Sequence, residues 1–476
     1  MRQVGVRASS AADMHYQSTR GTAPILDFKG VTLAGLATDG GLYVPESWPH
    51  FDAAAIEAMA GLSYVETAFR VMQPFVSGSL SDDALKALIA AAYGDFGHPA
   101  IAPLVQLDEQ HWLLELFHGP TLAFKDVALQ LLGNLFGHFL GAGERLTIVG
   151  ATSGDTGSAA IKAVAGRPGI TIFMLHPAGR VSEVQRRQMT TVLAANVHNI
   201  AVDGSFDDCQ ALVKRLFNDA PFRAEMTLSA VNSINWARLL AQIVYYFYAG
   251  VRLGAPHRKV SFSVPTGNFG DVFAGYAAAR MGLPVGKLLV ATNVNDILAR
   301  ALNAGDYSVG TVTPTSTPSM DIQVSSNFER LLFDLNNRNG AALAKMMHNF
   351  ETSGVIGLSE AQRAEASTLF LAEKVDEARM MQTLAWAHAE CGQLLDPHTA
   401  IGLAAARART ADMVGPIVTL ATAHPAKFPG AVERASGVRP HLPRRVQHLF
   451  DREERYDKLA ADAEALKEYM RARTAC

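Results

Sequence analysis

The sequence predicts an α/β protein with mostly parallel sheets. Short apolar segments alternate with helical segments through the middle of the chain, and glycine-containing loops join them. Strands that alternate with helices indicate a parallel sheet, and such sheets bind ligands beyond the carboxyl ends of their strands. Hydrophobic residues make up 49% of the 476 residues and charged residues 18%, a composition that favours sizeable folded cores.

The N-terminal part predicts a leader followed by a first domain. Residues 1–13 are small and polar and lack periodicity, which predicts a disordered leader, so the folded part is expected to begin at Met14. Residues 14–108 combine turn signals with helical patterns, of which residues 81–92 are the clearest. We therefore expect an N-terminal domain over residues 14–108.

The rest of the chain predicts two α/β domains and a terminal helix. Residues 109–140 and 229–440 are expected to form the main domain, and residues 141–228 a smaller one. The charge-dense, amphipathic stretch 444–473 predicts one C-terminal surface helix for residues 441–476. The predicted strands are residues 112–117, 145–150, 170–175, 197–202, 259–264 and 416–420. The predicted helices between them are residues 127–140, 158–164, 207–217 and 272–281. A stretch rich in Thr, Ser and Pro predicts a long loop over residues 310–327.

Charge and cysteine content narrow the functional classes. The formal net charge of −3 gives no electrostatic argument for binding nucleic acid or an anionic membrane. Cys209, Cys391 and Cys476 are far apart, which argues against a disulfide framework and predicts a reducing, cytoplasmic location. The sequence has neither HExxH nor a Cys/His cluster, so we expect no metal site. The longest apolar run, residues 239–251, is too short to span a bilayer. A monomer and a homodimer both remain open.

Lys125 is the strongest catalytic candidate. It lies in the run HGPTLAFKD, residues 118–126, between a predicted strand and a predicted helix. The positive end of the helix dipole, together with partial burial, disfavours its ammonium form. A neutral amine is what attack on an aldehyde requires. Taken alone, a lysine at such a position is more often a solvated first-turn residue, so the catalytic interpretation depends on the neighbouring motifs.

Two glycine-containing loops predict anion sites. The run GATSGDTG, residues 150–157, and the run TGNFGD, residues 266–271, each join a strand to a helix. Their backbone amides would point at the start of the helix, where anions bind. The run at 150–157 is neither a Walker A loop nor a GxGxxG fingerprint. An ordinary tight turn with a helix cap is the alternative for each loop by itself.

Two further polar groups extend this pattern. Asn235 and Arg238 lie three residues apart at the start of a strong helix, where the guanidinium could bind a phosphate or carboxylate. Thr422 follows the last strand and could reach a bound ring. The alternatives are that Arg238 is simply solvated and that Thr422 is an ordinary turn residue. One lysine and several anion loops at strand ends favour a phosphorylated carbonyl cofactor, and pyridoxal 5'-phosphate fits.

Runs distributed along the chain carry a family resemblance. They are YQSTRG (16–21), DGGLYVP (39–45), HGPTLAFKD, GATSGDTG, NSINWARLLAQ (232–242), TGNFGD, SMDIQVSSN (319–327) and TAHPAKF (422–428). In this order they resemble the threonine synthase family, which has the fold-type II, tryptophan synthase β-like architecture of pyridoxal-phosphate enzymes with an added N-terminal domain. The resemblance covers residues 14–430. It implies conversion of O-phospho-L-homoserine and water to L-threonine and phosphate.

The resemblance also implies roles for individual residues. Lys125 would carry the cofactor and move protons, with Phe124 beside it. Thr422 would meet the pyridine nitrogen. The residues implied to bind the cofactor phosphate are Gly267, Asn268, Phe269, Gly270 and Asp271. Those implied to bind the substrate carboxylate are Thr152, Ser153, Gly154, Asp155 and Thr156. Those implied to bind the substrate phosphate are Asn232, Ser233 and Arg238. Asp321 and Asn327 match the family without an assigned role.

Two alternative functions remain at this point. One is another fold-type II lyase, such as a serine or threonine dehydratase or a sulfhydrylase. Such enzymes lack the N-terminal run YQSTRG and need no arginine for a substrate phosphate. The other is a non-catalytic homologue that binds a phosphorylated metabolite, against which the intact Lys125 argues.

Overall fold

The computed structural model describes residues 13–474 of the chain. The leader predicted for residues 1–13 lies outside the described residues, apart from Asp13. The strands are β1 (Tyr16–Ser18), β2 (Tyr43–Pro45), β3 (Leu104–Gln106), β4 (His111–Glu115), β5 (Leu146–Ala151), β6 (Ile170–Pro177), β7 (Val197–Asp203), β8 (Leu228–Ser229), β9 (Val260–Pro265), β10 (Val285–Thr292), β11 (Asp306–Ser308), β12 (Val355–Gly357), β13 (Phe370–Lys374), β14 (Ile417–Ala421) and β15 (Asp457–Ala460).

Helices alternate with these strands and cover the sheets. They are α1 (Phe28–Ala34), α2 (Ala53–Glu57), α3 (Tyr64–Met72), α4 (Asp82–Tyr93), α5 (Lys125–Phe139), α6 (Asp155–Val164), α7 (Glu183–Thr190), α8 (Phe206–Asn218), α9 (Ala220–Glu225), α10 (Trp236–Arg252), α11 (Gly270–Arg280), α12 (Ile297–Ala304), α13 (Phe328–Leu335), α14 (Gly340–Ser353), α15 (Glu360–Ser367), α16 (Glu377–Cys391), α17 (Pro397–Ala408), α18 (Pro429–Ser436) and α19 (Ala463–Thr474). Short 3-10 turns span Gln73–Phe75, Pro318–Met320, Thr410–Asp412, Pro425–Lys427 and Arg444–Asp451.

Two sheets dominate the fold. The larger has the strand order β13-β10-β9-β14-β4-β3, and only the edge pair β3–β4 is antiparallel. The smaller has the order β15-β7-β6-β5-β8 and is parallel throughout. Every residue of β9 and β14 is buried, as expected for central strands with helices on both faces. The prediction of an α/β protein with mostly parallel sheets is confirmed.

The helices that position the site are buried deeply. Helix α10 exposes only its last residue, so its apolar sequence reflects packing inside the protein. Helix α5 packs against α4, α6 and α10. Across residues 13–474, none of the helices combines the length and the hydropathy that crossing a membrane requires.

Three sequence predictions about the fold are wrong. The stretch 441–476 is not one surface helix, because it contains a 3-10 turn, strand β15 and then α19. Strand β15 pairs with β7 and so extends the smaller sheet. Strand β13, which is absent from the predicted strands, forms an edge of the larger sheet. Strand β3, expected in the N-terminal domain, pairs with β4 at the other edge.

Candidate functional site

The predicted site residues gather where strands of both sheets end. Strands β4, β9 and β14 of the larger sheet and β5 of the smaller sheet each lead into one of the predicted loops. The loop before α5 pairs with the segment after β14, because the Phe124 amide donates to the Thr422 carbonyl at 2.8 Å and the His424 amide to the Leu122 carbonyl at 3.0 Å. This pairing fixes Thr422 beside Lys125.

Lys125 is the first residue of α5 and is nearly buried. Its side chain is 12% exposed, and its Nζ lies 3.6 Å from Asp155 Oδ2 and 4.5 Å from the centre of the Phe124 ring. Burial lowers the pKa of Lys125 most strongly, Asp155 opposes this shift, and the positive charges of Lys427 and Arg238 add to it. The environment therefore favours the neutral amine that was predicted for this position.

Asp155 lies between two lysines. Its Oδ1 accepts from Lys427 Nζ at 2.9 Å and from Gln185 Nε2 at 2.8 Å, while Oδ2 faces Lys125. Burial by itself would raise the pKa of Asp155, but the charges of Lys427 and Lys125 outweigh burial and hold that pKa well below its usual range. The carboxylate is thus occupied by the protein, so a ligand could use only the backbone of this residue.

The other residues of the loop 152–156 fall into two groups, those that shape the loop and those that can bind an anion. Thr152 Oγ1 accepts from the amides of Gly154 and Gly157, both at 2.9 Å, and so shapes the start of α6. Gly154 has φ 138°, and a Cβ there would lie 2.4 Å from the Gln185 side chain, so glycine is required. Ser153 and Thr156 are half-buried, and their hydroxyls with the loop amides are the groups this loop offers to an anion.

The loop 266–271 presents its backbone rather than its side chains. Helix α11 begins at Gly270, directly after Phe269 in the left-handed conformation. The Phe269 ring packs against Phe328 and Phe370 in the core, whereas Asn268 is exposed. Successive amides at a helix start form an anion-binding nest, as predicted for this loop. The Phe269 side chain belongs to the core, so of this residue only the backbone amide suits the role that the family resemblance implies.

Asp271 also points its side chain inward. Its Oδ1 accepts from the Tyr245 hydroxyl and, at 3.0 Å, from the Tyr246 hydroxyl. Burial raises the pKa of Asp271 to about 6, while the two tyrosine hydrogen bonds lower it only in part. A carboxylate aimed at a bound phosphate would repel it, so only the amide of Asp271 suits the predicted role.

The long loop 310–327 supports the nest from outside. A Cβ on Gly267 would lie 2.5 Å from the Ser319 carbonyl oxygen, so the two backbones touch. Ser325 Oγ donates to the Gly267 carbonyl at 2.8 Å, and Asn327 Nδ2 donates to the Asn268 carbonyl at 2.9 Å. The contacts of Asn327, for which the sequence suggested no role, connect this loop to the nest.

Asp321, likewise without a predicted role, holds the long loop together. Its Oδ1 accepts from Asn293 Nδ2 at 2.8 Å and from Asn295 Nδ2 at 3.0 Å. Its Oδ2 accepts from the Thr315 amide at 2.8 Å. Asp321 therefore acts on the site through the conformation of the loop.

Arg238 is a buried cation at the start of α10. Its Nη1 donates to the Val231 carbonyl at 2.9 Å, and its Nε has no hydrogen-bond partner among the described residues. Burial lowers the pKa of Arg238 to about 10. The contact with Val231 ties the guanidinium to the segment that carries Asn232, which is exposed, and Ser233, which is half-buried. These three predicted residues therefore share one corner of the site.

Asn235, paired with Arg238 in the sequence, has a structural role. Its Oδ1 accepts from the Ala237 amide at 3.0 Å and caps α10, and its Nδ2 donates to the Thr32 carbonyl at 2.9 Å. Both ends of the amide are used inside the protein, so Asn235 positions the helix instead of contacting a ligand.

Sequence reasoning missed a second buried arginine, Arg330. Its Nε donates to the Tyr43 carbonyl at 3.0 Å, its Nη2 to the Ile234 carbonyl at 2.6 Å, and its Nη1 to Asn327 Oδ1. Burial lowers the pKa of Arg330 to about 9. The only signal in the sequence was its place three residues after the run SMDIQVSSN.

The predicted cofactor fits these residues. Thr422 Oγ1 is buried and has no hydrogen-bond partner within residues 13–474, which suits a hydroxyl that meets a ring nitrogen. Lys125 offers a nearly buried amine on the adjacent segment, and the nest at α11 offers amides to a phosphate. Among residues 13–474, the His, Cys, Asp and Glu side chains form no group of three or more that could hold a metal.

A buried amine, an amide nest and a buried hydroxyl at the ends of parallel strands define a pyridoxal-phosphate-dependent enzyme. Residues 98–347 match the family described by that name. Residues 15–93 match the family described as threonine synthase N terminus, and residues 399–470 the threonine synthase C-terminal family. The chain belongs to the threonine synthase family.

Individual relatives support the same assignment. The chain is 57% identical to threonine synthase from Pseudomonas aeruginosa, over 93% of this chain and 95% of that one. The structure is similar to the crystal structure of pyridoxal-phosphate-bound threonine synthase from Brucella melitensis, with TM-score 0.94 and 51% identity over 97% of this chain and 100% of that one. Yeast threonine synthase gives TM-score 0.91 and 40% identity over 97% and 99% of the two chains.

Proposed function

We propose that this chain is a threonine synthase, a pyridoxal-phosphate-dependent carbon–oxygen lyase. It converts O-phospho-L-homoserine and water to L-threonine and phosphate, the last step of threonine biosynthesis. The observation that carries the choice of substrate is Arg238, a buried cation with no carboxylate partner among the described residues, close enough to Lys125 to affect its pKa. A phosphorylated substrate supplies the missing negative charge.

Pyridoxal 5'-phosphate, when bound, supplies an aldehyde for amine exchange and an electron sink for charge that develops next to the substrate amino group. Lys125 holds the cofactor, with Phe124 beside it. The amides of residues 267–271 hold its phosphate, and Thr422 meets its ring nitrogen. Support for these roles comes from the nearly buried amine, the left-handed turn before α11 and the unpartnered Thr422 hydroxyl.

Two segments orient the substrate. Arg238, Ser233 and Asn232 bind its phosphate, for which the free Nε of Arg238 is the principal donor. The hydroxyls of Ser153 and Thr156, with the amides at the start of α6, bind its carboxylate. Holding both ends places the carbons between them in front of the Lys125 amine.

Lys125 then moves protons at Cα and Cβ of the substrate. A neutral amine accepts a proton, and the ammonium so formed returns it, which is general acid–base chemistry. Burial of the site, which lowers the pKa of Lys125 from its usual value, supports this role. Asp155 lies 3.6 Å away and stabilises the ammonium while it exists.

Turnover of O-phospho-L-homoserine tests the proposal. The purified protein should release phosphate and form threonine, and Lys125→Ala should do neither at a comparable rate. Borohydride reduction of the holoenzyme followed by peptide mapping should place the cofactor on Lys125. Rapid release of ammonia from L-serine or L-threonine, without phosphate release from phosphohomoserine, would instead establish a dehydratase. The cytoplasmic location stays a prediction, as does the expectation of either a monomer or a homodimer.

A further inference from the structure

Lys427 lies at the site, but the proposed function assigns it no role. It ends the 3-10 turn after β14, and its side chain is fully buried. A buried ammonium is costly unless acceptors surround it, so its contacts identify what it does.

Lys427 binds the carboxylate that faces the catalytic lysine. Its Nζ contacts Asp155 Oδ1 at 2.9 Å and donates to the Thr121 carbonyl at 2.7 Å. The Lys125 amine, by contrast, is 3.6 Å from Asp155 Oδ2, beyond a good hydrogen bond. Asp155 is therefore shared unequally and belongs mainly to Lys427.

Four charged or titratable groups act on the Lys125 amine from the elements around it. Asp155 on α6 and Asp271 on α11 are acidic. Arg238 on α10 and Lys427 in the 3-10 turn after β14 are basic. Asp271 is held by Tyr245 and Tyr246, and Arg238 by a backbone carbonyl, so both are fixed independently of Lys427. The pair Asp155 and Lys427 is the part of this environment that one substitution can change.

We propose that Lys427 is a positioning residue that binds Asp155, keeps the ion pair between Asp155 and Lys125 long and weak, and so favours the neutral Lys125 amine. The inference rests on the proposed function, because it takes Lys125 as the lysine that carries the cofactor. Among the described residues, Asp155 forms ion pairs with Lys427 and Lys125. Without Lys427, Lys125 would be the cation left to pair with it. The ion pair between Lys125 and Asp155, 3.6 Å long in the structure, would then shorten and strengthen.

The test measures the titration of Lys125 in two ways. In the full chain freed of cofactor, labelling of Lys125 by an amine reagent is followed by mass spectrometry across a pH series. In the holoenzyme, the pH at which the cofactor absorbance changes reports protonation of the nitrogen that Lys125 contributes. Both midpoints should rise in Lys427→Met. Charges several ångströms apart at an effective dielectric constant of about 20 shift a pKa by about one to two pH units.

A second pair of variants keeps the test decisive if Lys427→Met folds poorly. Asp155→Asn keeps the repulsion from Lys427 and removes the attraction, so both midpoints should fall below those of the wild type. Removing both charges in the double variant should return the midpoints to near the wild-type values. Lys467→Met is the matched control. Lys467 lies on α19, outside the site, and also forms a partly buried ion pair, with Asp219 at 2.6 Å. The midpoints of this variant should not move.

Equal Lys125 midpoints in wild type and Lys427→Met would overturn the inference, as would a shift by Lys427→Met that is as large in the Asp155→Asn background as in the wild type. A purely structural Lys427 would lower the melting temperature and leave the midpoints unchanged. Failure of the proposed function looks different, because the reduced cofactor would then map to a residue other than Lys125.

Discussion

Replacing Arg238 by methionine should separate substrate binding from stability. The guanidinium is buried, donates one hydrogen bond to a backbone carbonyl and faces no carboxylate among the described residues. Burial lowers its pKa to about 10. At about 1.4 kcal/mol for each pH unit, burial of this cation costs the substrate-free protein roughly 3 kcal/mol. The methionine variant avoids this cost but loses the hydrogen bond to the Val231 carbonyl, which lowers its stability by only about 1 kcal/mol.

The two effects of Arg238→Met therefore have opposite signs. Without substrate, the variant should be more stable than the wild type, by about 2 kcal/mol from these two terms. With substrate, it loses charge-assisted hydrogen bonds that contribute about 1.5–3 kcal/mol, so kcat/KM should fall about ten- to two-hundred-fold. The absorbance of the cofactor should not change.

Thermal unfolding with and without inorganic phosphate tests this reasoning alongside turnover. Phosphate should raise the melting temperature of the wild type by mass action and have little effect on the variant. Arg252→Met is the matched control, because Arg252 ends the same helix and also donates to a backbone carbonyl, that of Leu62 at 2.8 Å. A variant that melts lower than the wild type and keeps its kcat/KM would refute the assignment of Arg238 to the substrate.

Three further substitutions test other parts of the site. Thr422→Val should weaken cofactor binding about ten- to one-hundred-fold by equilibrium titration, because the ring nitrogen loses its partner in a buried site, while Thr422→Asp should stabilise a protonated ring and change its absorbance. Gly267→Ala should weaken cofactor binding about tenfold or more, because its Cβ would lie 2.5 Å from the Ser319 carbonyl oxygen. Asp271→Asn should raise the melting temperature at pH 8 more than at pH 4, because a carboxyl whose pKa is raised to about 6 destabilises the fold as pH increases through 6.

Each of these variants has an outcome that contradicts its premise. Unchanged absorbance and affinity in both Thr422 variants would place that hydroxyl away from the ring. Full affinity in Gly267→Ala would mean that residues 318–320 move freely away from the nest. An Asp271→Asn melting profile parallel to that of the wild type from pH 4 to 8 would show that this carboxyl does not titrate in that range.

Local patterns predicted the core of the fold well. The segments at 145–150 and 259–264 match β5 and β9 within a residue at each end, because buried parallel strands are continuous apolar runs bounded by loops. Strand β15 was missed because its sequence, Asp457–Ala460, is charged and mostly exposed at an edge. Only its pairing with β7, far away in the sequence, makes it a strand.

The candidate site was predicted by residue type more accurately than by contact. Lys125 and Arg238 lie in the first turns of α5 and α10, and Thr422 directly follows β14, which are the positions in the chain that the sequence indicated. The sequence could not show that the Asp155 side chain is occupied by Lys427, because the partners are far apart in the chain. Nor could a motif distinguish the amide of Phe269 from its ring, which packs in the core.

The most direct test of the central claim follows the oxygen atoms during turnover in water labelled with oxygen-18. A carbon–oxygen lyase breaks the bond between Cγ and the phosphate oxygen and adds water at Cβ. The account therefore predicts threonine with one labelled oxygen and unlabelled phosphate, both absent with Lys125→Ala. Homoserine with labelled phosphate would reveal a phosphatase and contradict the account.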